Sequence, residues 1–278
     1  MLTDAHCHPR DLFLVSPQAE KERRETLSAR GERGVTAAAS AWQPDEFAYN
    51  AELSHNAAGA AALLLCFAVH PQLPAVYTEK SKTFKDADLS ASMEFLYKTA
   101  EEKKLSAVGE TGFDLFNSVF RETEKTQEKI FQAHLTAALN FDLPVVIHTR
   151  RAINKIFSSA KILAKCKAVI FHSWPGTRGE AISLLKRGVN AYFSFGNTIT
   201  LNHKQAESCC AALPADRLLT ETDAPYQPRR GLEFSHWKDL PYILEKAALL
   251  RTGAGNPVDI KDLESQVEIN FKKAFGLN

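Results

Sequence analysis

The sequence predicts a (β/α)8 TIM barrel of the α/β class, folded as one domain over residues 1–278, with its functional groups at the C-terminal mouth of the strands. Three observations carry that prediction. Short apolar runs alternate with longer amphipathic ones, and Gly, Pro, Asp or Asn often stands at the joins, which is the rhythm of repeated strand-helix units around a parallel sheet. Eight apolar runs of strand length can be read, the number that closes such a barrel. No Gly-rich dinucleotide or P-loop motif follows the first run, so an open doubly wound sheet lacks its usual signature.

In chain order the strand candidates are 2–7, 35–40, 62–69, 106–109, 144–148, 168–172, 191–195 and 217–220. Helical patterns occupy 44–58, 89–103, 122–140, 152–165, 178–187 and 203–212, and two more, 240–251 and 258–275, close the chain. In the third of these, Gln127, Ile130, Phe131, His134, Leu135, Ala138 and Leu139 follow the i, i+3, i+4 spacing of a buried stripe. Stretches 11–34 and 226–240 are irregular and are expected as loops over the barrel mouth. No internal repeat, low-complexity tract or linker divides the chain.

Composition narrows the function classes. With 34 basic and 33 acidic residues the formal charge is +1, so no global basic field holds a long polyanion, and nucleic-acid contact is expected to be local and transient. Five Cys without a C-x-x-C motif, two of them adjacent at Cys209 and Cys210, fit neither a disulfide framework nor a thiolate zinc site. Reduced cysteines, no basic-then-apolar leader and no apolar run of about 18 residues point to a cytoplasmic protein without a membrane partner. No obligate protein partner is indicated.

Chemistry concentrates at the strand ends. In His6-Cys7-His8 the alternation of a strand turns both imidazoles to one face and Cys7 to the other, so Cys7 is expected to pack in the wall. Further along, the third strand runs into His70-Pro71, the fourth into Glu110, the fifth into His148-Thr149-Arg150, the sixth into His172-Ser173 and the eighth into Glu221-Thr222-Asp223. Six strands thus place an imidazole or carboxylate at the same end, where barrels of this kind keep their sites, and a shared metal site is the expectation. His55, His134 and His203 lie in helical patterns and are expected to be structural.

These motifs resemble the TatD family of metal-dependent deoxyribonucleases. The resemblance rests on His6-Cys7-His8, Val69-His70-Pro71, Gly109-Glu110-Thr111-Gly112-Phe113-Asp114, Pro144 to Arg150, Phe171-His172-Ser173, Tyr192 to Gly196 and Glu221-Thr222-Asp223-Ala224-Pro225-Tyr226, and it runs to Asn270 to Gly276. It implies an amidohydrolase-like barrel with two divalent metal ions, the metal ligands being His6, His8, Glu110, His148, His172 and Asp223, with Glu110 bridging. Such a pair acidifies a water and neutralises charge on a phosphodiester. Asp223 and Glu110 are the catalytic candidates, with Asp223 placed to take the water's proton. Arg150 is expected to clamp a phosphate oxygen and His70 to contact substrate. Mixed imidazole and carboxylate ligands suit Zn²⁺ or Mn²⁺, or Mg²⁺ with water completing its shell.

Two departures from the family pattern stand out. Ala68-Val69 occupies a stretch where Gly commonly precedes the His-Pro, and Phe234-Ser235-His236-Trp237 replaces an Arg-Asn-Glu-Pro stretch. The second loop is expected beside the substrate, with Trp237 stacking on an unpaired base. Glu221 and Asp4 are either orienting groups behind the ligands or structural, and Arg229, Arg230 and Lys238 either line a groove or are solvated loop charges. The expected activity is a deoxyribonuclease on single-stranded or tailed DNA ends, with DNA as a transient partner. The alternatives are a hydrolase of a small ester, lactone or amide, and a non-catalytic binding protein. Glu110 where a bridging Lys would often stand disfavours the cyclic-amide version, and the cost of burying six polar groups together disfavours the last.

Overall fold

The computed structural model describes residues 1–16, 18, 34–56, 63–79 and 86–277. Eight strands form one parallel sheet in sequence order: β1 (Leu2–Cys7), β2 (Val35–Ala41), β3 (Leu63–Phe67), β4 (Ala107–Asp114), β5 (Val145–Arg150), β6 (Val169–Phe171), β7 (Ala191–Phe195) and β8 (Leu218–Thr220). Each strand pairs with the next, Leu2 opposite Val35 at one end of the series and Phe193 opposite Leu218 at the other, with the register shifting between Asp4 and Cys7 in β1 and between Val108 and Thr111 in β4. The barrel closes between β8 and β1 by a different device. Thr220 Oγ1 donates to the Thr3 carbonyl (2.9 Å), Asp223 N to His6 O (3.0 Å) and His8 N to Ala224 O (2.7 Å). Asp4, fully buried, completes the seam by accepting from Thr222 N (2.9 Å), Thr222 Oγ1 (2.6 Å) and His6 N (3.2 Å).

The helices wrap the outside: α1 (Pro9–Val15), α2 (Pro44–Asn56), α3 (Leu73–Glu79), α4 (Asp86–Glu101), α5 (Ser118–Glu122), α6 (Glu124–Asn140), α7 (Ile153–Ser158), α8 (Ala160–Leu163), α9 (Arg178–Lys186), α10 (Lys204–Ala212), α11 (Leu240–Gly253) and α12 (Ile260–Phe275). The helical pattern over 122–140 is α6, which starts two residues later at Glu124, and that over 152–165 divides at Ser159. Three short helices, α1, α3 and α5, stand where the sequence predicts none, because five to seven residues are too few for a periodic stripe to be read. Ala62 and most of the 11–34 stretch lie outside the described residues.

Small side chains face inward and let the strands close: Ala5, Ala38, Ala107 and Ala168 share one buried cluster with Leu64, Val146, Ile170 and Leu219. Phe271 and Phe275 of α12 join that cluster, while Asn270 donates to the carbonyls of Ala215 and Leu218 at the start of β8. The closing helix therefore seals the N-terminal end of the strands, and the C-terminal end is left for the site. The five cysteines are buried and form no disulfide, and Cys7 faces outward into the wall with Leu12, Val35 and Ala37. No helix among the described residues is long and apolar enough to cross a membrane.

Candidate metal centre at the barrel mouth

Glu110 is the centre of the site. It sits within β4, 4% exposed, and its two oxygens face two groups of imidazoles. Oε2 lies 3.0 Å from His6 Nε2 and 3.5 Å from His8 Nε2. Oε1 lies 2.7 Å from His148 Nδ1, 3.1 Å from His172 Nε2 and 3.4 Å from His70 Nε2. Strand alternation brings His6 and His8 onto one face, and their Nε2 atoms are 3.0 Å apart. Asp223 Oδ1 lies 3.6 Å from each of them.

Local sequence makes this convergence possible. Gly112, at φ +136°, sits so close to β5 that a Cβ there would lie 2.0 Å from the His148 carbonyl oxygen, so only glycine lets the two ligand-bearing strands approach. Gly196 after β7 does the same for Glu221, whose carbonyl oxygen a Cβ would meet at 3.0 Å.

Each group has backing that the sequence left open or missed. Asp114, buried at the end of β4, approaches His148 Nε2 at 3.2 Å and accepts from Gln72 Nε2 at 2.7 Å, which holds Nδ1 of the ring toward Glu110. Glu221 accepts from Ser173 N (2.8 Å) and stands 3.3 Å from His172 Nδ1, leaving Nε2 to face Glu110. Ser40 Oγ is 3.2 Å from His6 Nδ1. Gln227 Nε2 donates to Asp223 Oδ2 (2.6 Å) and to Ser173 Oγ (2.8 Å). Glu221 thus belongs behind a ligand candidate, whereas Asp4 holds the seam. Asp114 was legible as a same-face residue of the motif around Glu110, but nothing in the sequence marked Ser40 or Gln227.

Electrostatics bind the cluster together. Burial alone would raise the Glu110 carboxyl, but the imidazoles around it, His6 and His172 foremost, hold it well below the usual carboxylate range. Burial opposes protonation of His8 and His172 as well. Glu110 and Asp223 nevertheless push His8 up to about 9, and Glu110, Glu221 and Asp223 push His172 well above its ordinary value. Deeper in, burial outweighs Glu110 at His6 and pulls that ring down. A cation entering between these groups must displace protons, so its affinity falls as pH falls.

A cavity of about 690 Å³ opens above the cluster. His8, His70, Glu110, His148, Arg150, His172 and Asp223 all line it, while His6 is fully buried beneath them. The Arg150 guanidinium rests 3.6 Å above the Phe116 ring. His134 lies beneath the mouth without lining the cavity and is structural: Val69 N donates to its Nε2 (3.3 Å), so Nδ1 carries the proton toward Thr111 Oγ1 (2.9 Å). His203 caps α10, its Nδ1 accepting from Ala206 N.

The loop after β8 corrects one expectation. Trp237 is 1% exposed and packs with Cys7, Leu12 and Leu240, so it cannot stack on a base. Ser235 turns inward, donating to the carbonyls of Thr222 and Tyr226. Arg229 is engaged with Asp239 at 2.8 Å. Tyr226 and Gln227, not the Ser-His-Trp stretch, face the cavity. The loop folds back because its apolar residues find an unfilled wall beside β1 and α1.

A family model for TatD-related DNases matches residues 3–276. The chain belongs to the TatD family. Among relatives, a 3′-5′ ssDNA/RNA exonuclease TatD of Erwinia tasmaniensis is 33% identical over 189 residues, covering 66% of this chain and 70% of its own. An uncharacterized metal-dependent hydrolase of Buchnera aphidicola (subsp. Acyrthosiphon pisum) is 34% identical, over 64% of this chain and 67% of its own. The solved structure of YJJV, a TatD homolog from Escherichia coli K12, superposes with a TM-score of 0.79 at 24% identity, covering 100% of this chain and 98% of that one. TatD membership makes the chain a metal-dependent hydrolase that acts on phosphodiester bonds.

Proposed function

We propose that this TatD protein removes nucleotides from single-stranded or tailed nucleic-acid ends, working from the 3′ end as its Erwinia relative's name describes, and that it does so with two divalent cations. The observation that carries the reading is the two-sided position of Glu110, one oxygen toward His6 and His8 and the other toward His148 and His172. The donor set fits cations. Two imidazole nitrogens 3.0 Å apart, both turned to one carboxylate oxygen, are held most favourably by a shared positive charge. His6, His8, Glu110 and Asp223 would hold one ion, and Glu110, His148 and His172 the other. Bound there, Zn²⁺, Mn²⁺ or Mg²⁺ would supply Lewis-acid charge to the phosphodiester and acidify the attacking water.

The remaining work falls to the chain. Asp223 takes the water's proton on the oxygen that Gln227 leaves free. Arg150, resting 3.6 Å over Phe116, offers its N–H groups to a non-bridging phosphate oxygen, and His70 borders the same space. A site recessed among imidazoles admits a flexible strand end better than a rigid duplex. Five buried cysteines outside any disulfide support a cytoplasmic, reducing location.

Metal analysis combined with a gel assay on end-labelled single-stranded, tailed and blunt DNA tests the reading. The expected result is two ions per chain and stepwise shortening of the single-stranded and tailed substrates. Metal-loaded protein that leaves all three intact sinks it and favours a small-ester hydrolase.

A further inference from the structure

Beyond the ring of imidazoles, one corner of the mouth gathers three guanidinium groups around an exposed aromatic ring. Phe116, two residues past the end of β4, keeps 39% of its surface exposed. Arg150 lies 3.6 Å and Arg151 4.7 Å over its ring, and Arg121 Nη1 donates to the carbonyls of Leu115 (3.3 Å) and Phe116 (3.4 Å). Arg151 Nη1 donates to the same Phe116 carbonyl (3.4 Å). None of the three is in an ion pair among the described residues, and the acids of the adjoining helix, Glu124 and Glu128, are occupied by Lys155. Arg121 and Arg151 are exposed.

The opposite rim is different. Asp11 lines the cavity there, accepting from the Tyr226 hydroxyl at 2.8 Å, and Glu46 is buried behind it beside His8. On the Asp11 side a single guanidinium, Arg10 over the Tyr49 ring at 5.1 Å, accompanies two carboxylates, whereas the three on the Phe116 side have no acid paired with them among the described residues, so a polyanion leaving the cavity is drawn to the Phe116 side.

We propose that Phe116, Arg121 and Arg151 form an exit tract for the single-stranded tail of the substrate, with the arginines on successive phosphates and the ring against a base. The inference rests on the nuclease reading and adds the path of the strand. Charge supplies the direction, since guanidinium groups bind phosphate oxygens through several N–H donors at once. Aromatic rings stack on any base, so the tract is tolerant of sequence.

The test compares a labelled dinucleotide with a long labelled single strand of the same 3′ sequence, using metal-loaded full-length protein at several salt concentrations, with strand binding followed by fluorescence anisotropy. In R151A, R121A and the double variant, dinucleotide turnover should stay within about twofold of wild type, long-strand KM should rise about tenfold in the double variant, and the slope of log affinity against log salt should fall by about one per arginine. R151K should keep the wild-type slope. Equal losses on both substrates, or an unchanged long-strand KM in the double variant, overturn the tract. Wild type that binds the strand through these arginines yet cuts neither substrate overturns the nuclease reading and leaves the tract standing.

Discussion

Glu110 Oε2 faces His6 and His8, with Asp223 beyond them, while Oε1 faces His148, His172 and His70, and the two flanks are braced by different chemistry. On the first, the direct braces are neutral, the Ser40 hydroxyl behind His6 and the Gln227 amide on Asp223, and the carboxylates of Asp11 and Glu46 stand further off, within 4.8 Å of a His8 nitrogen. On the second they are carboxylates, Asp114 behind His148 and Glu221 behind His172. A carboxylate on the far nitrogen makes an imidazole a stronger donor to whatever its near nitrogen meets. The second flank should therefore hold its cation more tightly, and the first should exchange.

The largest effect comes from the residue common to both. Glu110→Ala should lose both ions and all detectable cleavage, as read by metal analysis and the gel assay. Retention of one full equivalent of metal would mean that the flanks do not depend on Glu110. Next, Asp114→Asn and Glu221→Gln should each weaken the tighter ion by about 10–100-fold in a chelator competition, with the weaker ion little changed. Loss of the weaker ion first would reverse the comparison.

A third effect, of about tenfold in the folding equilibrium per pH unit, concerns His134, which joins the β3 end to β4 beneath the second flank. Burial pulls this ring from 6.5 down to about 3, so folding favours its neutral form. Between those values the unfolded chain binds a proton that the folded one does not. Its contribution is complete above pH 6.5 and is lost as pH falls toward 3, at about 1.4 kcal/mol per unit. Urea unfolding across that window should give a shallower pH slope in His134→Gln, and an unchanged slope would mean that the ring titrates freely. Smallest is Gln227→Leu, which removes one hydrogen bond of ~1 kcal/mol from Asp223 and should lower kcat about threefold to tenfold with KM unchanged. A rise in KM instead would place Gln227 against substrate rather than behind Asp223.

The reach of the sequence divides along similar lines. Strand ends were legible because barrel closure carries every C-terminal strand end to one rim, so His6, His148 and Asp223 needed no tertiary information to be grouped. The β1 and β7 boundaries agree with their apolar runs, yet β4 extends through Thr111 and Gly112 to Asp114, where the polar Gly-Glu-Thr-Gly run reads as a loop. Bracing groups such as Ser40 and Gln227 stayed hidden because their partners lie on other strands, and only register across the sheet pairs them. Trp237 was misplaced for a related reason: a loop's polar neighbours say nothing about the gap in the wall that its aromatic ring fills.

The seam between β8 and β1 gives the two flanks different birth dates. His148 and His172 emerge from the ribosome soon after Glu110, and β4, β5 and β6 are sequential neighbours, so that half can assemble on a growing chain. His6 and His8 are made first of all, but they must wait for Asp223 and for the Asp4 contacts that draw Thr222 across the closing gap. Closure is the longest-range event in the molecule and the slowest kind of contact to make. The centre becomes complete only when the barrel does, so an unfinished chain carries half a site.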